Sequence, residues 1–341
     1  MESFYYLFTS TGKWGHNKTN QIRFRSPADD HPDRPPVRVG LVQHRWRPDA
    51  DELTKVLRDG IDRAAGEGAA LVCLPEITLL RYPADTPAGP NPGDTAEDLL
   101  DGPTFALAAE AARANGIFVH ASLYEKSPAA DGLGFNTAIL VSPSGELAGR
   151  TRKMHIPISA GYYEDTYFRA GPAEGNPYPV YEPEGLGAKL GMPTCWDEWF
   201  PEVARNYSLG GAEIVVYPTA IGSEPVFPAF DTQPLWQQVI VANGINSGLF
   251  MVVPNRIGDE GTVTFYGSSF ISDPYGRVLV QAPRDEEAVL VADLDLDQRR
   301  DWLELFPFLL TRRPESYGAL TAPVDAQRPY GAGHEATAVV K

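Results

Sequence analysis

Residues 189–217 of the 341-residue chain read KLGMPTCWDEWFPEVARNYSLGGAEIVVY. Residues 189–194 are typical of a buried strand, and residues 201–209 predict a short helix that begins at a proline and ends before two glycines. Residues 213–217, which are apolar after Glu213, predict a second strand. A strand, a crossover helix and another strand form the unit of a parallel sheet, whose two faces both need cover.

The rest of the chain repeats this order of elements. In the first half the pattern predicts three strands, two helices and a closing hairpin, in the chain order 37–43, 49–66, 70–74, 103–114, 117–123 and 135–150. In the second half it predicts the same sequence of elements at 189–194, 201–209, 213–217, 233–245, 249–253 and 266–280. The sequence therefore predicts an α/β fold, a four-layer α-β-β-α sandwich in which two similar half-sheets pack face to face with helices outside.

The two ends of the chain depart from this pattern. Residues 1–36 are polar and end in a segment rich in proline and aspartate, so we predict an N-terminal extension with little regular structure. Residues 321–341 are small and polar, which predicts a C-terminal tail that is loose or packed on a neighbouring subunit. Between them, residues 37–320 are predicted to form one domain, since a single four-layered domain accounts for this length better than two independent ones.

Composition narrows the class of partner and the location. The chain has 29 Lys and Arg against 45 Asp and Glu, a net charge of −16, which argues against nucleic acid or an anionic membrane as partner. No apolar run approaches the roughly 18 residues that span a bilayer, and we expect no secretory signal. Two cysteines are too few for a disulfide scaffold and fit a reducing cytoplasm. The six histidines lack metal-ligand spacing, so we expect no metal and no cofactor.

Three side chains at predicted element ends have the chemistry of a nucleophile, a base and a cation. Cys195 lies between a strand and a helix, where backbone N–H groups and the helix dipole favour a thiolate and can hold an oxyanion. Glu76 directly follows a strand, as a general base would, and Lys153 follows the first hairpin, where an ammonium can stabilise a substrate oxyanion. The other interpretations are a buried structural cysteine, a capping carboxylate and a surface lysine. Cys73, inside a predicted strand, is expected to fill the core.

Three other enzyme classes lack their signatures. The dinucleotide-binding motif Gly-x-Gly-x-x-Gly would have to follow a strand, but its nearest candidate, at residues 132–134, precedes one. The phosphate loop with Gly-Lys-Ser/Thr and the Gly-x-Ser-x-Gly elbow of serine hydrolases are both absent from the sequence. The sequence therefore gives no support to these three classes.

Together, the three residues resemble the pattern of the carbon–nitrogen hydrolase (nitrilase) superfamily. That pattern has a Glu after a Leu-Pro strand, a Lys in Arg-Lys-x-His and a Cys after a Gly-rich strand, and the resemblance covers residues 37–320. It implies the nitrilase-type sandwich and a catalytic set of Glu76, Lys153 and Cys195. It also implies that Glu164, in Gly-Tyr-Tyr-Glu, is the second glutamate, which positions substrate and lysine.

Two longer stretches resemble one branch of that superfamily, the N-carbamoylputrescine amidases. They are Cys-Trp-Asp-Glu-Trp-Phe-Pro-Glu at 195–202 and Tyr-Pro-Thr-Ala-Ile-Gly-Ser-Glu-Pro at 217–225, and Asn-Arg-Ile-Gly at 255–258 is similar too. The resemblance implies cleavage of an N-carbamoyl amine to an amine, carbon dioxide and ammonia. The alternatives are an N-carbamoyl amino acid, a simple aliphatic amide and a non-catalytic scaffold. Residues 77–83 and 158–159 depart from the branch pattern near the expected mouth of the site, so they bear on the substrate.

The mechanism that the resemblance implies is covalent. Glu76 takes the proton of Cys195, whose thiolate attacks the carbonyl or carbamoyl carbon, while Lys153 and the backbone N–H of Trp196 hold the oxyanion. Glu76 then protonates the leaving group and activates water. We expect none of these catalytic side chains to fill the core. The expected partners are a small carbamoyl or amide substrate and further copies of the chain, in a homodimer or higher homo-oligomer.

Two acids and two tryptophans follow the nucleophile directly: Trp196, Asp197, Glu198 and Trp199. Two acids without a base should repel a substrate carboxylate and attract an ammonium tail. Glu224 and Asp231, in the following loop, would add to that field, and the tryptophans would line an apolar passage or face the ammonium. The alternative is that the two acids only favour the N-terminus of the helix at residue 201.

Overall fold

The structure, a computed structural model, describes residues 3–8, 14–18, 33–159 and 161–331. Its strands are β1 (Ser3–Phe8), β2 (Trp14–Lys18), β3 (Val37–Gln43), β4 (Leu71–Cys73), β5 (Phe118–Glu125), β6 (Phe135–Val141), β7 (Leu147–Arg152), β8 (Val180–Tyr181), β9 (Leu190–Gly191), β10 (Ile214–Val216), β11 (Phe250–Val253), β12 (Ile257–Asp259), β13 (Thr264–Tyr266), β14 (Phe270–Ser272), β15 (Val278–Gln281) and β16 (Ala288–Leu294). Its α-helices are α1 (Ala50–Gly66), α2 (Pro103–Asn115), α3 (Pro201–Leu209), α4 (Gln233–Ser247) and α5 (Asp297–Leu305).

The strands form two main sheets and a small ribbon. The first sheet has the order β2-β1-β16-β3-β4-β5-β6-β7, and the second has the order β15-β14-β11-β10-β9-β8. In each sheet three neighbouring strands are parallel, β3-β4-β5 in the first and β9-β10-β11 in the second, and the outer strands are antiparallel. The ribbon pairs β12 with β13.

Alternation along the strands separates three apolar layers. In β4, Leu71 and Cys73 belong to the core between the two sheets, whereas Val72 packs against α1 and α2 on the outer face. The second sheet repeats this arrangement, since Ile214 faces the first sheet and Val215 packs with α3 and α4. Helices therefore cover the outer faces of two sheets that share one core, and the predicted four-layer sandwich is confirmed, as is the core position of Cys73.

Local sequence signals set the helix bounds. The Asp49 carboxylate accepts the N–H groups of residues 51 and 52 and so caps α1, a contact worth about 1 kcal/mol. Helix α2 begins at Pro103 and is followed directly by Gly116. The φ of Gly116 is 66°, a left-handed conformation that glycine adopts without strain and that ends the helix. Helix α3 has the bounds that the sequence predicted, and α4 runs two residues further. None of the helices in the described part of the chain is long and apolar enough to cross a membrane.

The N-terminal prediction is wrong in part. Residues 3–8 and 14–18 are strands, and β1 extends the first sheet by pairing with β16. The local signal was present, because Phe4 and Tyr6 alternate along β1 and are buried against the helical layer. Most of the remaining extension and residues 332–341 of the predicted tail lie outside the described residues.

The second half also differs from its prediction near its end. The predicted hairpin at 266–280 is observed as β14 and β15, and β13 pairs separately with β12. Strand β16 and helix α5 have no counterpart among the elements predicted from the sequence. Strand β16 lies in the first sheet beside β3, more than 240 residues away along the chain. The two halves are therefore not independent, since the last strand of the second completes the sheet of the first.

Candidate active site

The candidate site lies where the parallel strands of both sheets end. Glu76 follows β4, Cys195 follows β9, Thr219 follows β10 and Arg256 follows β11. The carboxyl ends of parallel strands meet at one edge of a sheet, which is where α/β proteins bind ligands. Because the two sheets face each other, both sets of strand ends contribute to the same place.

Cys195 occupies a strained turn. It begins a short 3-10 segment, Cys195–Trp199, that leads into α3, and its φ of 39° is uncommon for a residue with a side chain. Its N–H donates to the carbonyl of Pro218 at 3.0 Å. The Asp197 carboxylate accepts the N–H of Thr194 at 3.1 Å, which closes the turn from the other side. Such strain persists only where neighbours hold it, and it is frequent at functional sites.

Lys153 lies between two carboxylates. Its Nζ is 2.9 Å from Oε1 of Glu76 and 2.6 Å from Oε2 of Glu164. Asn136 donates to the same oxygen of Glu76 at 2.7 Å, and the Tyr82 hydroxyl donates to Glu164 at 2.9 Å. Glu76 and Lys153 are 0% exposed, so the expectation that the catalytic side chains stay out of the core is wrong for them. A lysine can be buried here because two carboxylates compensate its charge.

Burial and the charges within this group shift the pKa values of Lys153, Glu164 and Cys195. Burial opposes the charge of the Lys153 ammonium, but Glu164 and Glu76 outweigh it and raise the pKa of Lys153 well above its usual value. Burial also raises the pKa of Glu164, against the effect of Lys153. The pKa of the Cys195 thiol is raised by burial and by the charge of Glu76, while Lys153 acts to lower it. The thiol is therefore protonated at rest and needs a base.

A base is at hand. In the described part of the chain, Oε2 of Glu76 has no hydrogen-bond partner, whereas Oε1 binds Lys153 and Asn136. One oxygen is thus fixed in place and the other can accept a proton. Thiol, carboxylate and fixed ammonium are the groups that acyl transfer to water requires. Among the residues the structure describes, no cluster of three or more His, Cys, Asp or Glu side chains is arranged to hold a metal ion.

The sequence matches the carbon–nitrogen hydrolase family over residues 38–304. The chain belongs to that family. It is 34% identical over 288 residues to a citrullinase of Francisella tularensis, covering 82% of this chain and 96% of that protein. It is 36% identical over 226 residues to an N-carbamoylputrescine amidase of Arabidopsis thaliana, covering 64% and 73%.

Solved structures agree with the assignment. A carbon–nitrogen hydrolase from Helicobacter pylori G27 superposes with a TM-score of 0.75 at 30% identity, over 83% of this chain and 98% of that one. An amidase of the nitrilase superfamily from Nesterenkonia has the same fold, with a TM-score of 0.64 at 24% identity, over 84% and 97%. The predicted family, fold and enzyme class, a carbon–nitrogen hydrolase, are therefore confirmed.

The two acids that follow Cys195 are both buried. Asp197 accepts the His155 backbone N–H at 2.9 Å and lies 2.7 Å from the His155 ring. Glu198 accepts the Trp236 indole N–H at 2.6 Å and is 3.2 Å from the Thr219 hydroxyl. Burial raises the pKa of Glu198 well above its usual value, although these hydrogen bonds oppose the rise. The observed contacts of both acids are therefore with the protein itself, and their predicted part in positioning substrate stays a prediction.

The tryptophans and the loop acids are more open. Trp196 and Trp199 are half-buried, with ring centroids 6.2 Å apart. Asp231 forms a bidentate pair with Arg284, at 2.7 and 2.9 Å. The half-buried Glu224 accepts the hydroxyl of Thr232 at 3.0 Å.

Glu224 also acts on a tyrosine near the nucleophile. The pKa of Tyr162 is raised by burial, then by the charge of Glu224 and then by Cys195. The same ring packs against Tyr82, which binds Glu164. Glu224 is therefore within electrostatic range of a side chain that faces the site.

Sequence reasoning missed several residues that shape the site. Asn136 is a polar residue within the largely apolar predicted strand 135–141, and its polarity there could have marked it as a candidate site residue. Tyr82 lies in the stretch 77–83 that departs from the branch pattern. Arg256 is in the quoted Asn-Arg-Ile-Gly motif, but nothing local indicates what its side chain binds. These contacts join residues distant in sequence, so only the assembled fold reveals them.

Proposed function

We propose that this enzyme removes the terminal carbamoyl group of an N-carbamoyl amine such as N-carbamoylputrescine, with Cys195 as nucleophile. The products are the amine, carbon dioxide and ammonia. The observation that carries the chemistry is the buried group in which Lys153 joins Glu76 and Glu164, electrostatically coupled to Cys195. A scaffold without activity has no physical reason to bury these groups together at the cost of their hydration.

The first half-reaction forms a bond between sulfur and the carbamoyl carbon. Oε2 of Glu76 accepts the proton of Cys195, and the thiolate attacks the carbon. The Lys153 ammonium and the Trp196 N–H stabilise the oxyanion. The Cys195 N–H already donates to Pro218, whereas the first N–H groups of a helical turn have no partner within it, which favours Trp196 as the donor.

The second half-reaction returns the enzyme to its resting state. Glu76 gives the proton to the leaving nitrogen, so the carbon–nitrogen bond breaks and a carbamoyl or acyl thioester remains on Cys195. Glu76 then takes a proton from water as the water oxygen attacks the thioester carbon, and it returns that proton to the departing sulfur of Cys195. The carbamic acid released from a carbamoyl substrate loses carbon dioxide and leaves its nitrogen as the remaining amine or ammonia. Throughout, Glu164 holds Lys153 in place through the 2.6 Å contact between them.

The substrate class rests on the relatives and on one acid. The names of the two relatives above refer to citrulline and N-carbamoylputrescine, which both carry a carbamoyl group at the end of an alkyl chain. They differ at the far end, where citrulline has a carboxylate beside its ammonium. Asp231 is paired with Arg284, and Asp197 and Glu198 are engaged inside the protein, which leaves Glu224 as our candidate for binding the ammonium.

Ammonia release from a panel of substrates tests the proposal. The panel is N-carbamoylputrescine, citrulline, an N-carbamoyl α-amino acid and an aliphatic amide, compared by kcat/KM at one pH. We expect N-carbamoylputrescine to be cleaved fastest. A preference for citrulline or the carbamoyl amino acid would contradict the expectation that the site disfavours a substrate carboxylate. A preference for the aliphatic amide would identify a simple amide, and not a carbamoyl amine, as the substrate class.

A pair of matched substrates tests Glu224 itself. n-Butylurea has the chain of N-carbamoylputrescine without its ammonium. Glu224→Gln should lower kcat/KM for N-carbamoylputrescine at least about tenfold, mainly through KM, and leave n-butylurea within about twofold. Glu52→Gln, which removes an exposed acid on α1, controls for the change in net charge. An equal effect of Glu224→Gln on both substrates would show that Glu224 does not bind the ammonium.

A further inference from the structure

The turn directly after Glu76 is strained. Ile77 has a φ of 47°, which is an outlier for a β-branched residue. Its side chain is buried, so the turn is not at a mobile surface. Glu76 is the first residue of this turn, so contacts that hold the turn also restrain the backbone of Glu76. Something in the fold must hold this conformation.

Three groups hold the peptide units of Ile77. Its N–H donates to the Ser122 hydroxyl at 3.1 Å, and its carbonyl accepts the N–H of Leu80 at 3.1 Å. The third group comes from the other half of the molecule: Nη2 of Arg256 donates to the carbonyl of Ile77 at 3.2 Å and to that of Leu80 at 3.1 Å. One guanidinium nitrogen therefore binds both ends of the strained turn.

The other guanidinium nitrogen connects Arg256 to Glu164 through Glu260 and Tyr82. Nη1 of Arg256 is 3.1 Å from Oε2 of Glu260, and that same oxygen accepts the backbone N–H of Tyr82 at 2.8 Å. The Tyr82 hydroxyl in turn donates to Glu164. Arg256 and Glu260 are 0% and 5% exposed, so their ion pair is little screened by water. The neighbouring His44 is fully buried, and burial followed by the charge of Arg256 lowers its pKa well below the usual range, which keeps it neutral there.

We propose that Arg256 is a positioning residue for both carboxylates of the site, holding Glu76 through the turn at Ile77 and Glu164 through Glu260 and Tyr82. The inference rests on the proposed roles of Glu76 and Glu164 and is independent of which carbamoyl compound is cleaved. It requires an arginine, because a planar fork can bind a carboxylate and two carbonyls at once. A lysine keeps the charge but presents a single nitrogen.

Three variants separate positioning from folding. Arg256→Lys keeps the charge that Glu260 needs and removes the fork. The double variant Arg256→Met with Glu260→Gln removes the buried pair together, which avoids an unpaired buried charge and is often tolerated. Tyr82→Phe leaves the pair intact and removes only the hydroxyl that reaches Glu164. The set therefore stays informative even if one variant is unstable.

Arg299→Lys is the matched control. Arg299 also clamps backbone carbonyls with its guanidinium, donating to Ser208, Ser247 and Gly248 at 2.7–3.0 Å between the ends of α3 and α4. The change to lysine is the same, but Arg299 contacts the C-terminal ends of α3 and α4 and not the turns that carry the site residues. We expect it to lower the melting temperature without changing kcat.

The readouts are kcat and KM for the best substrate of the panel, with thermal melts. Arg256→Lys and the double variant should each lower kcat at least about tenfold with KM within about threefold, since displacing a reacting group by 1 Å can cost a hundredfold. Tyr82→Phe should lower kcat about threefold or more. Folded Arg256 variants with wild-type kcat would overturn the proposal, as would an equal loss in Arg299→Lys. Turnover in Cys195→Ala would instead refute the proposed function.

Discussion

The turn that carries Cys195 and the turn that begins at Glu76 both stand at the carboxyl ends of parallel strands, β9 and β4, and each contains a non-glycine residue at positive φ. They are held differently. In the first, Asp197 accepts the N–H of Thr194 and the carbonyl of Pro218 accepts the N–H of Cys195. The second is held by Arg256, which is 179 residues from Ile77. The backbone N–H groups of Thr194 and Cys195 therefore find their acceptors within the second half, whereas the turn after Glu76 uses both Ser122 of its own half and Arg256 of the other half.

The largest expected effect comes from removing the nucleophile. Cys195→Ala should lower ammonia release at least about a hundredfold, because no other thiol can form the covalent intermediate. Cys73→Ala is the matched change in the core: it should leave kcat intact and lower the free energy of unfolding by about 1 kcal/mol through the lost packing. Steady-state rates and urea unfolding of both variants check this. Retained turnover in Cys195→Ala would remove the covalent mechanism.

Removing the base should lower both the turnover rate and the pKa of Cys195. Glu76→Gln should lower kcat at least about a hundredfold, because an amide cannot accept the thiol proton. The charge of Glu76 helps to raise the pKa of Cys195, so its loss should lower that pKa and make thiolate appear at lower pH.

The rate of alkylation by iodoacetamide, measured against pH, reports the second effect. We expect its midpoint in Glu76→Gln to lie below that of the wild type, and the double variant with Cys195→Ala identifies the signal as that of Cys195. A midpoint that is unchanged or higher would mean that Glu76 does not act on the thiol. Unchanged kcat would exclude Glu76 as the base.

The smallest effect on rate should come from the local closure of the nucleophile turn. Asp197→Asn keeps the shape of the side chain but removes the charge and one acceptor from the N–H groups of Thr194 and His155. Leaving a buried donor without its acceptor costs about 1–3 kcal/mol. Urea unfolding should show this loss, with a smaller fall in kcat than in Arg256→Lys. Unchanged stability with a higher KM for N-carbamoylputrescine would instead assign Asp197 to substrate.

Sequence patterns predicted the parallel strands and four of the helices, and strand ends with reactive side chains pointed to Cys195, Glu76 and Lys153. The patterns failed where an element has a remote partner. Strand β1 extends the first sheet by pairing with β16. Strand β16 itself follows the second half along the chain but pairs with β3 in the first sheet. Hydrophobic periodicity reports which face of a segment is buried, but not which distant segment covers it.

The sequence by itself determined the order of the elements repeated in the two halves, the four-layer architecture, the membership of the family and the position of Cys195 after its strand. These follow from periodicity, from helix and turn signals and from motifs, which all act over short stretches of chain. Only the tertiary structure decided that Lys153 is buried between Glu76 and Glu164, that Asp197 and Glu198 turn inward, and that Arg256 reaches the turn at Ile77. The physical reason is that burial and hydrogen-bond partners are set by whichever segments meet in space, and those segments are far apart in sequence.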